Sequence, residues 1–221
     1  MDAYDAIIFD FGRVLTAFAP DEIARTLLGD PSRALRVRRA IFAGPHWRAL
    51  EQGLVTEAGA SARISEANPD EAEGVRRFFE HYKDFLGPLP SGVSVVDKVR
   101  KAGLRIYGLP NLSREAWEVM QQRPAFLELF DGVVVSSHER LIKPDPAIFE
   151  ILLERYSLIP SRCVFIDDVP TNVEAARRLG IDGLHFENHR QITRALIRRG
   201  ILAAPVPKRS PGTIHHSTVI R

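Results

Sequence analysis

The chain has 221 residues, 45% of them hydrophobic, enough to bury a sizeable core as one domain with an insertion or as two modest domains. Its 30 Lys and Arg against 28 Asp and Glu leave a formal charge of +2, too balanced to call for a nucleic-acid partner. No run approaches the ~18 apolar residues of a membrane span, and the opening MDAYDAIIFD is acidic where a secretory signal would be basic, so a cytoplasmic protein with no membrane partner is expected.

In chain order, YDAIIFD (4–10) is the first of five short apolar runs, followed by LRIYGL (104–109), DGVVVS (131–136), RCVFIDD (162–168) and DGLHFE (182–187). Continuous apolar runs alternating with helical patterns predict an α/β fold, a parallel sheet covered by helices. The rhythm breaks between 18 and 88, where PDEIARTLLG, SRALRVRRAIFA, TEAGASARISEA and DEAEGVRRFFEHYKDFLG read as helices and no strand is evident. Further on, SGVSVVDKVRKAG stops at Gly103, SREAWEVMQQ starts from Ser113 as N-cap, PAIFEILLERYSL is amphipathic, and PTNVEAARRLG ends at Gly180. The expected organisation is a core of 1–17 and 89–200, an all-helical insertion of 18–88, and a C-terminal tail of 201–221. The tail, APVPKRSPGTIHHSTVIR, lacks periodicity; its His215 and His216 read as solvated residues, since an adjacent pair without further ligands makes no metal site. Cys163, the one cysteine, lies in the apolar run CVFID and reads as a core position. The basic stretches RVRRA and RALIRRG read as solvated helix faces.

In an open parallel sheet ligands bind at the carboxyl ends of the strands. The polar residues placed there are Asp10, Asn111, Lys143 in LIKPDPAIF, and the pair Asp167 and Asp168. Singly, each has a plain structural reading: a strand end, a helix cap, a surface lysine before a Pro turn. Jointly they form a site. Three clustered carboxylates repel one another unless a cation shares them, and oxygen ligands at that density suit Mg²⁺. A lysine among them would orient a carboxylate and offset phosphoryl charge, and an aspartate can attack phosphorus to form an aspartyl-phosphate that water then hydrolyses.

With these residues in place the sequence resembles the haloacid dehalogenase superfamily, in the subgroup whose helical cap is inserted between the first and second motifs. The likeness covers about residues 4 to 187 and is densest in GLVTEAGASARI, LFDGVVVSSHERLIKPDPAIFEILLERY and VFIDDVPTNVEAARRLGI. It implies a Rossmann-like core and a mobile cap closing over a small phosphorylated metabolite. It also implies Asp10 as nucleophile, Lys143 as the third-motif lysine, Asn111 beside the phosphate, and Asp10, Asp167, Asp168 and the Gly12 carbonyl around Mg²⁺. Whether such a protein is a monomer or a homodimer stays open.

Three departures stand out. Gly12 occupies the usual place of the general acid, whose loss typically costs ~10² to 10⁴ in rate. Arg13 stands where glycine or asparagine is common; it either grips the phosphate or points outward as a structural contact. Pro110 replaces the usual Ser or Thr and offers neither hydroxyl nor N–H, and Ser113, as a helix cap, is a poor substitute. GPHWRALEQG (44–53) resembles the segment that faces the site in relatives, which makes His46 and Trp47 candidates. His46 has a pKa suited to replacing the missing acid, or is simply packed or solvated beside Trp47. The leading expectation is a Mg²⁺-dependent phosphatase of reduced activity. Against it stand a degenerate relative that binds a phospho-ligand or partner protein without turnover, and a 2-haloacid dehalogenase, which would use no metal.

Overall fold

The computed structural model describes residues 4–204. Most of the stretch read as a tail, 205–221 with His215 and His216, lies outside the described residues.

Five parallel strands form one sheet in the order β3-β2-β1-β4-β5: β1 Ala6–Phe9, β2 Arg105–Gly108, β3 Gly132–Val133, β4 Cys163–Asp167 and β5 Asp182–His185. All five apolar runs become strands, although DGVVVS contributes only two paired residues. β1 is central, pairing with β2 and β4, and every one of its side chains is buried. Its alternation divides the core. Ile7 and Phe9 belong to one buried cluster with Ile106, Val164 and Ile166, whereas Ala6 and Ile8 belong to a second with Tyr107, Cys163 and Phe165. Strands buried on both faces are written as unbroken apolar runs.

After β1 the chain forms α1 Pro20–Leu28, α2 Pro31–Phe42, α3 Pro45–Glu51, α4 Glu57–Ala67 and α5 Ala72–His81, with short 3₁₀ turns at Pro69–Glu71 and Tyr82–Phe85. Asp30 caps α2 by accepting from the backbone of Ser32 and Arg33, and Thr56 caps α4 by accepting from Gly59. Four of these helices follow the helical patterns of the sequence. The seven-residue α3 carries too few turns to show a period. It is held by an aromatic cluster in which the Trp47 ring lies 4.5 Å from Phe42 and 5.6 Å from Tyr82, and Phe78 stacks on Tyr82 at 5.6 Å.

The two connections into and out of this helical stretch run side by side. Ala17 N–H donates to Gly87 O at 3.0 Å and Leu89 N–H donates to Leu15 O at 2.8 Å. The chain then continues through α6 Pro90–Lys101, α7 Arg114–Gln121, α8 Pro124–Leu127, α9 Ser136–Glu139, α10 Pro146–Arg155, α11 Pro170–Arg178 and α12 His189–Arg198. Helices α6, α7, α8 and α12 join the Ile7–Phe9 face, together with side chains of the helical insertion; α10 and α11 cover the other face. Ser113 caps α7 as its position suggested, accepting from Ala116 N–H at 3.0 Å. None of the described helices is long and apolar enough to cross a membrane.

Phe78 is completely buried at the centre of the aromatic cluster. Truncating a buried phenylalanine typically costs about 3–5 kcal/mol. Phe78→Ala is therefore expected to lose stability on that scale in chemical denaturation, and a loss below about 1 kcal/mol would show that the cluster does not order the insertion.

Candidate active site

The site follows from register. β1 and β4 pair with Phe9 opposite Ile166, so the next residue of each strand, Asp10 and Asp167, emerges at the same sheet edge. Asp10 N–H still donates to Ile166 O at 2.9 Å, which holds the two carboxylates side by side. Lys143 reaches them from the loop between α9 and α10. Its Nζ lies 2.6 Å from Asp10 Oδ1 and 2.7 Å from Asp167 Oδ2, and its side chain is 1% exposed. Asn111, beyond β2, fixes the lysine's backbone in a two-way clasp: its Oδ1 accepts from Lys143 N–H at 3.0 Å and its Nδ2 donates to Lys143 O at 3.2 Å.

Asp167 is fully buried and fully engaged. Besides Lys143, it accepts from Val169 N–H at 2.8 Å and from Asn172 Nδ2 at 3.2 and 3.1 Å on its two oxygens. Asp10, Asp167 and Asp168 bring carboxylate oxygens within 4.8 Å of one another. A set of three hard oxygen donors fits Mg²⁺, which takes a few carboxylates and fills its octahedron with water or phosphate oxygens. Asp10 and Asp168 present the more open oxygens, because both oxygens of Asp167 are already hydrogen-bonded.

The electrostatics match this crowding. Burial pushes the Asp10 carboxyl up to about 7; Lys143 opposes the rise and Asp167 reinforces it. Burial works against the Lys143 ammonium, but Asp10 and Asp167 outweigh it and hold its pKa at about 12. Asp168 is also raised, first by burial and then by Asp167, against the pull of Arg13 and Lys143.

Gly12 sits directly beside the nucleophile candidate: a methyl group at its Cα would lie 3.6 Å from Asp10 Oδ2. Its carbonyl accepts from Val14 N–H at 2.5 Å in the turn that follows. Arg13 adopts φ +57, the left-handed region that favours glycine and asparagine, so the unusual residue is also a strained one. Its Nε lies 3.5 Å from Asp168 Oδ2, with the side chain 60% exposed at the cleft. Pro110 uses its carbonyl to accept from Ser136 N–H at 3.2 Å and does not line the cleft. The Ser113 hydroxyl is spent. It caps α7 and donates to Glu57 at 3.2 Å, in a buried group where Glu57 also binds Tyr82 OH and Lys83.

A cleft of about 410 Å³ opens above Asp10, Gly12, Asn111, Lys143 and Asp168. The helical insertion supplies its opposite wall through Phe18, Arg38, Phe42, Trp47 and Glu51. Of the two candidates on α3, Trp47 lines the cleft and His46 does not. The residue missed from sequence is Glu51, one helical turn after Trp47 and therefore on the same face. Burial pushes its carboxyl up to about 8, a rise that Trp47 and Lys143 reduce and Asp10 increases. The i, i+4 spacing from Trp47 was the available signal.

A family model described as haloacid dehalogenase-like hydrolase matches residues 4–180. Among curated proteins, the chain is 29% identical over 204 residues to the drimenol cyclase DrtB of Aspergillus calidoustus, covering 86% of this chain but only 35% of that protein. It thus spans about a third of that relative's length. It is 24% identical over 183 residues to the sesquiterpene phosphatase AstK of Aspergillus oryzae, covering 83% of this chain and 90% of the other. Among solved structures, a HAD family enzyme of Bacteroides thetaiotaomicron in complex with magnesium and inorganic phosphate superposes with a TM-score of 0.67 at 20% identity, over 84% of this chain and 95% of that one. The parallel sheet with helices on both faces is thus the Rossmann-like fold of these enzymes.

Asp10 holds its proton up to about pH 7 in the folded chain, whereas an ordinary aspartate ionises near ~4. The folded form therefore binds the extra proton between these values, and it loses stability as the pH rises through them. Asp10→Asn removes this cost. The melting temperature of Asp10→Asn minus that of the unsubstituted protein, in chelator-treated buffer, is expected to grow by a few degrees from pH 5 to pH 8, about 2–4 °C per kcal/mol for a chain of this size. A difference that stays constant would contradict the raised carboxyl.

Proposed function

We infer that this chain, which belongs to the haloacid dehalogenase-like hydrolases, is a Mg²⁺-dependent phosphatase acting on a small phosphate monoester through an aspartyl-phosphate on Asp10. The observation that carries this reading is the buried Lys143 ammonium bridging Asp10 and Asp167 while Asp168 completes a three-carboxylate cluster. Asp10, Asp167, Asp168 and the Gly12 carbonyl would hold the ion. What the ion supplies when bound is charge neutralisation, which lets an anionic nucleophile approach an anionic phosphoryl group.

The chain's own residues do the rest. Lys143 favours the ionised form of Asp10 against the effect of burial and aims it, and Asn111 fixes the lysine's backbone so that this aim is reproducible. Attack by an Asp10 oxygen on phosphorus expels the alcohol, and water then cleaves the aspartyl-phosphate. With Pro110 lacking a hydroxyl and Ser113 engaged elsewhere, Arg13 supplies the replacement grip on the phosphoryl oxygens from the rim of the cleft. Residues 18–88 act as a cap over a core of 1–17 and 89–200, hinged at the paired segments around Thr16 and Pro88, and their aromatic wall selects the substrate. Small-molecule phosphate esters are the substrate class, in line with the phosphatase among the relatives. A cytoplasmic setting accords with the buried, unpaired thiol of Cys163.

A haloacid dehalogenase needs no metal, and the Asp167–Asp168 pair beside Asp10 would repel its anionic substrate. The phosphatase reading predicts release of nitrophenol from p-nitrophenyl phosphate with Mg²⁺ and none with chelator, lost at least 10³-fold in Asp10→Asn. A protein that releases none under any of these conditions would be the degenerate binder instead. Arg13→Gly relieves the left-handed backbone, worth ~1 kcal/mol, and removes a charged donor, worth ~1.5–3 kcal/mol. It should melt higher by about 2–4 °C yet be inhibited by inorganic phosphate at least tenfold less tightly. Unchanged phosphate inhibition would return Arg13 to a purely structural contact.

A further inference from the structure

The phosphatase reading leaves one chemical gap: no side chain at Gly12 can give a proton to the departing alcohol, and Asp10 has no other acid neighbour on its own loop. Glu51 lies on the other wall of the same cleft, at the end of α3. Although it belongs to the helical insertion, it is tied to the core from below. The buried Ser136 hydroxyl donates to the Glu51 carbonyl at 2.6 Å and also accepts from Leu112 N–H at 2.9 Å, joining the end of α3 to the loop after β2. Two residues on, Gly53 turns the chain at φ +66 so close to α9 that a Cβ there would lie 2.4 Å from Ser137 O. Glu51 therefore keeps its place beside Asp10 and Lys143 through contacts with the core, in addition to those of the cap.

We propose that Glu51 is the proton donor for the leaving alcohol and, once ionised, the base for the attacking water. This rests on the phosphatase reading and completes it. In the first step an Asp10 oxygen bonds to phosphorus, the bond from phosphorus to the ester oxygen breaks, and that oxygen takes the Glu51 carboxyl proton to leave as an alcohol. In the second, the Glu51 carboxylate removes a proton from water as its oxygen bonds to phosphorus. The bond to Asp10 breaks, phosphate departs, and Glu51 is protonated again.

Its surroundings suit both halves. Burial and the neighbouring Asp10 favour the protonated carboxyl, against the pull of Lys143 and Arg48; Arg38 and Asp21 line the same wall of the cleft and Asp168 lies on the wall of the core. A general acid of this kind contributes typically 10²–10⁴-fold.

The test compares leaving groups. Nitrophenolate departs without a proton, whereas an alkoxide needs one, and kcat/KM reports the step that expels it. Glu51→Gln keeps the size but cannot give a carboxyl proton. Its kcat/KM for a simple alkyl phosphate is expected to fall at least ~10²-fold and that for p-nitrophenyl phosphate by less than tenfold. Equal losses on the two substrates, or an alkyl activity unaffected by the change, would overturn the assignment while leaving the phosphatase reading intact. Failure of the unsubstituted protein to cleave either substrate would overturn both.

Discussion

The site depends on one ammonium group. Lys143 is buried between Asp10 and Asp167, where removing a charge from water would cost several kcal/mol if it were unpaired. It is tolerated because two carboxylates meet it at hydrogen-bond distance and Asn111 clasps its backbone. Around this lysine sit three carboxylates, so the cluster as folded carries an excess of negative charge. Burial first, and this imbalance after it, raises Asp10 and Asp168, and the imbalance suits the cluster to a divalent cation. Structure, titration and the proposed chemistry thus share one origin, the parallel pairing of β1 with β4.

The departures at 12 and 13 acquire a physical sense from the same geometry. Gly12 stands directly beside Asp10, where a Cβ would make ordinary contact with Asp10 Oδ2 and the Phe18 ring, both at 3.6 Å. Arg13 occupies a left-handed position that glycine would take without strain, and strain of that kind clusters at functional sites. The proton-transfer role vacated at Gly12 has a counterpart in Glu51, which comes from a different element but is anchored to the core by Ser136 and Gly53.

Much of this was legible in the sequence. Strands buried on both faces are unbroken apolar runs, and polar residues at their carboxyl ends mark a site edge, so Asp10, Asn111, Lys143, Asp167 and Asp168 stand out before any coordinates. The Ser113 cap was legible because capping chemistry is local. What escaped depends on contacts distant in sequence. α3 is too short to show a period, so although Trp47 and Glu51 stand i, i+4 apart, which side of the helix faces the cleft, with His46 off it, is set by packing against the aromatic cluster. The left-handed turn at Arg13 is a backbone property that an arginine does not announce. β3 shrinks to two residues because its pairing with β2 extends only over Gly132 and Val133, a fact of register that DGVVVS does not encode.

The central claim is that Asp10 becomes covalently phosphorylated while Lys143 and the metal acids hold it. Acid quenching during turnover of a phosphorus-labelled monoester, followed by mapping of the labelled peptides, measures this directly. The account predicts label on the peptide carrying Asp10, present with Mg²⁺ and absent with chelator. Turnover that proceeds with no label on that peptide, or with label on another residue, would contradict it.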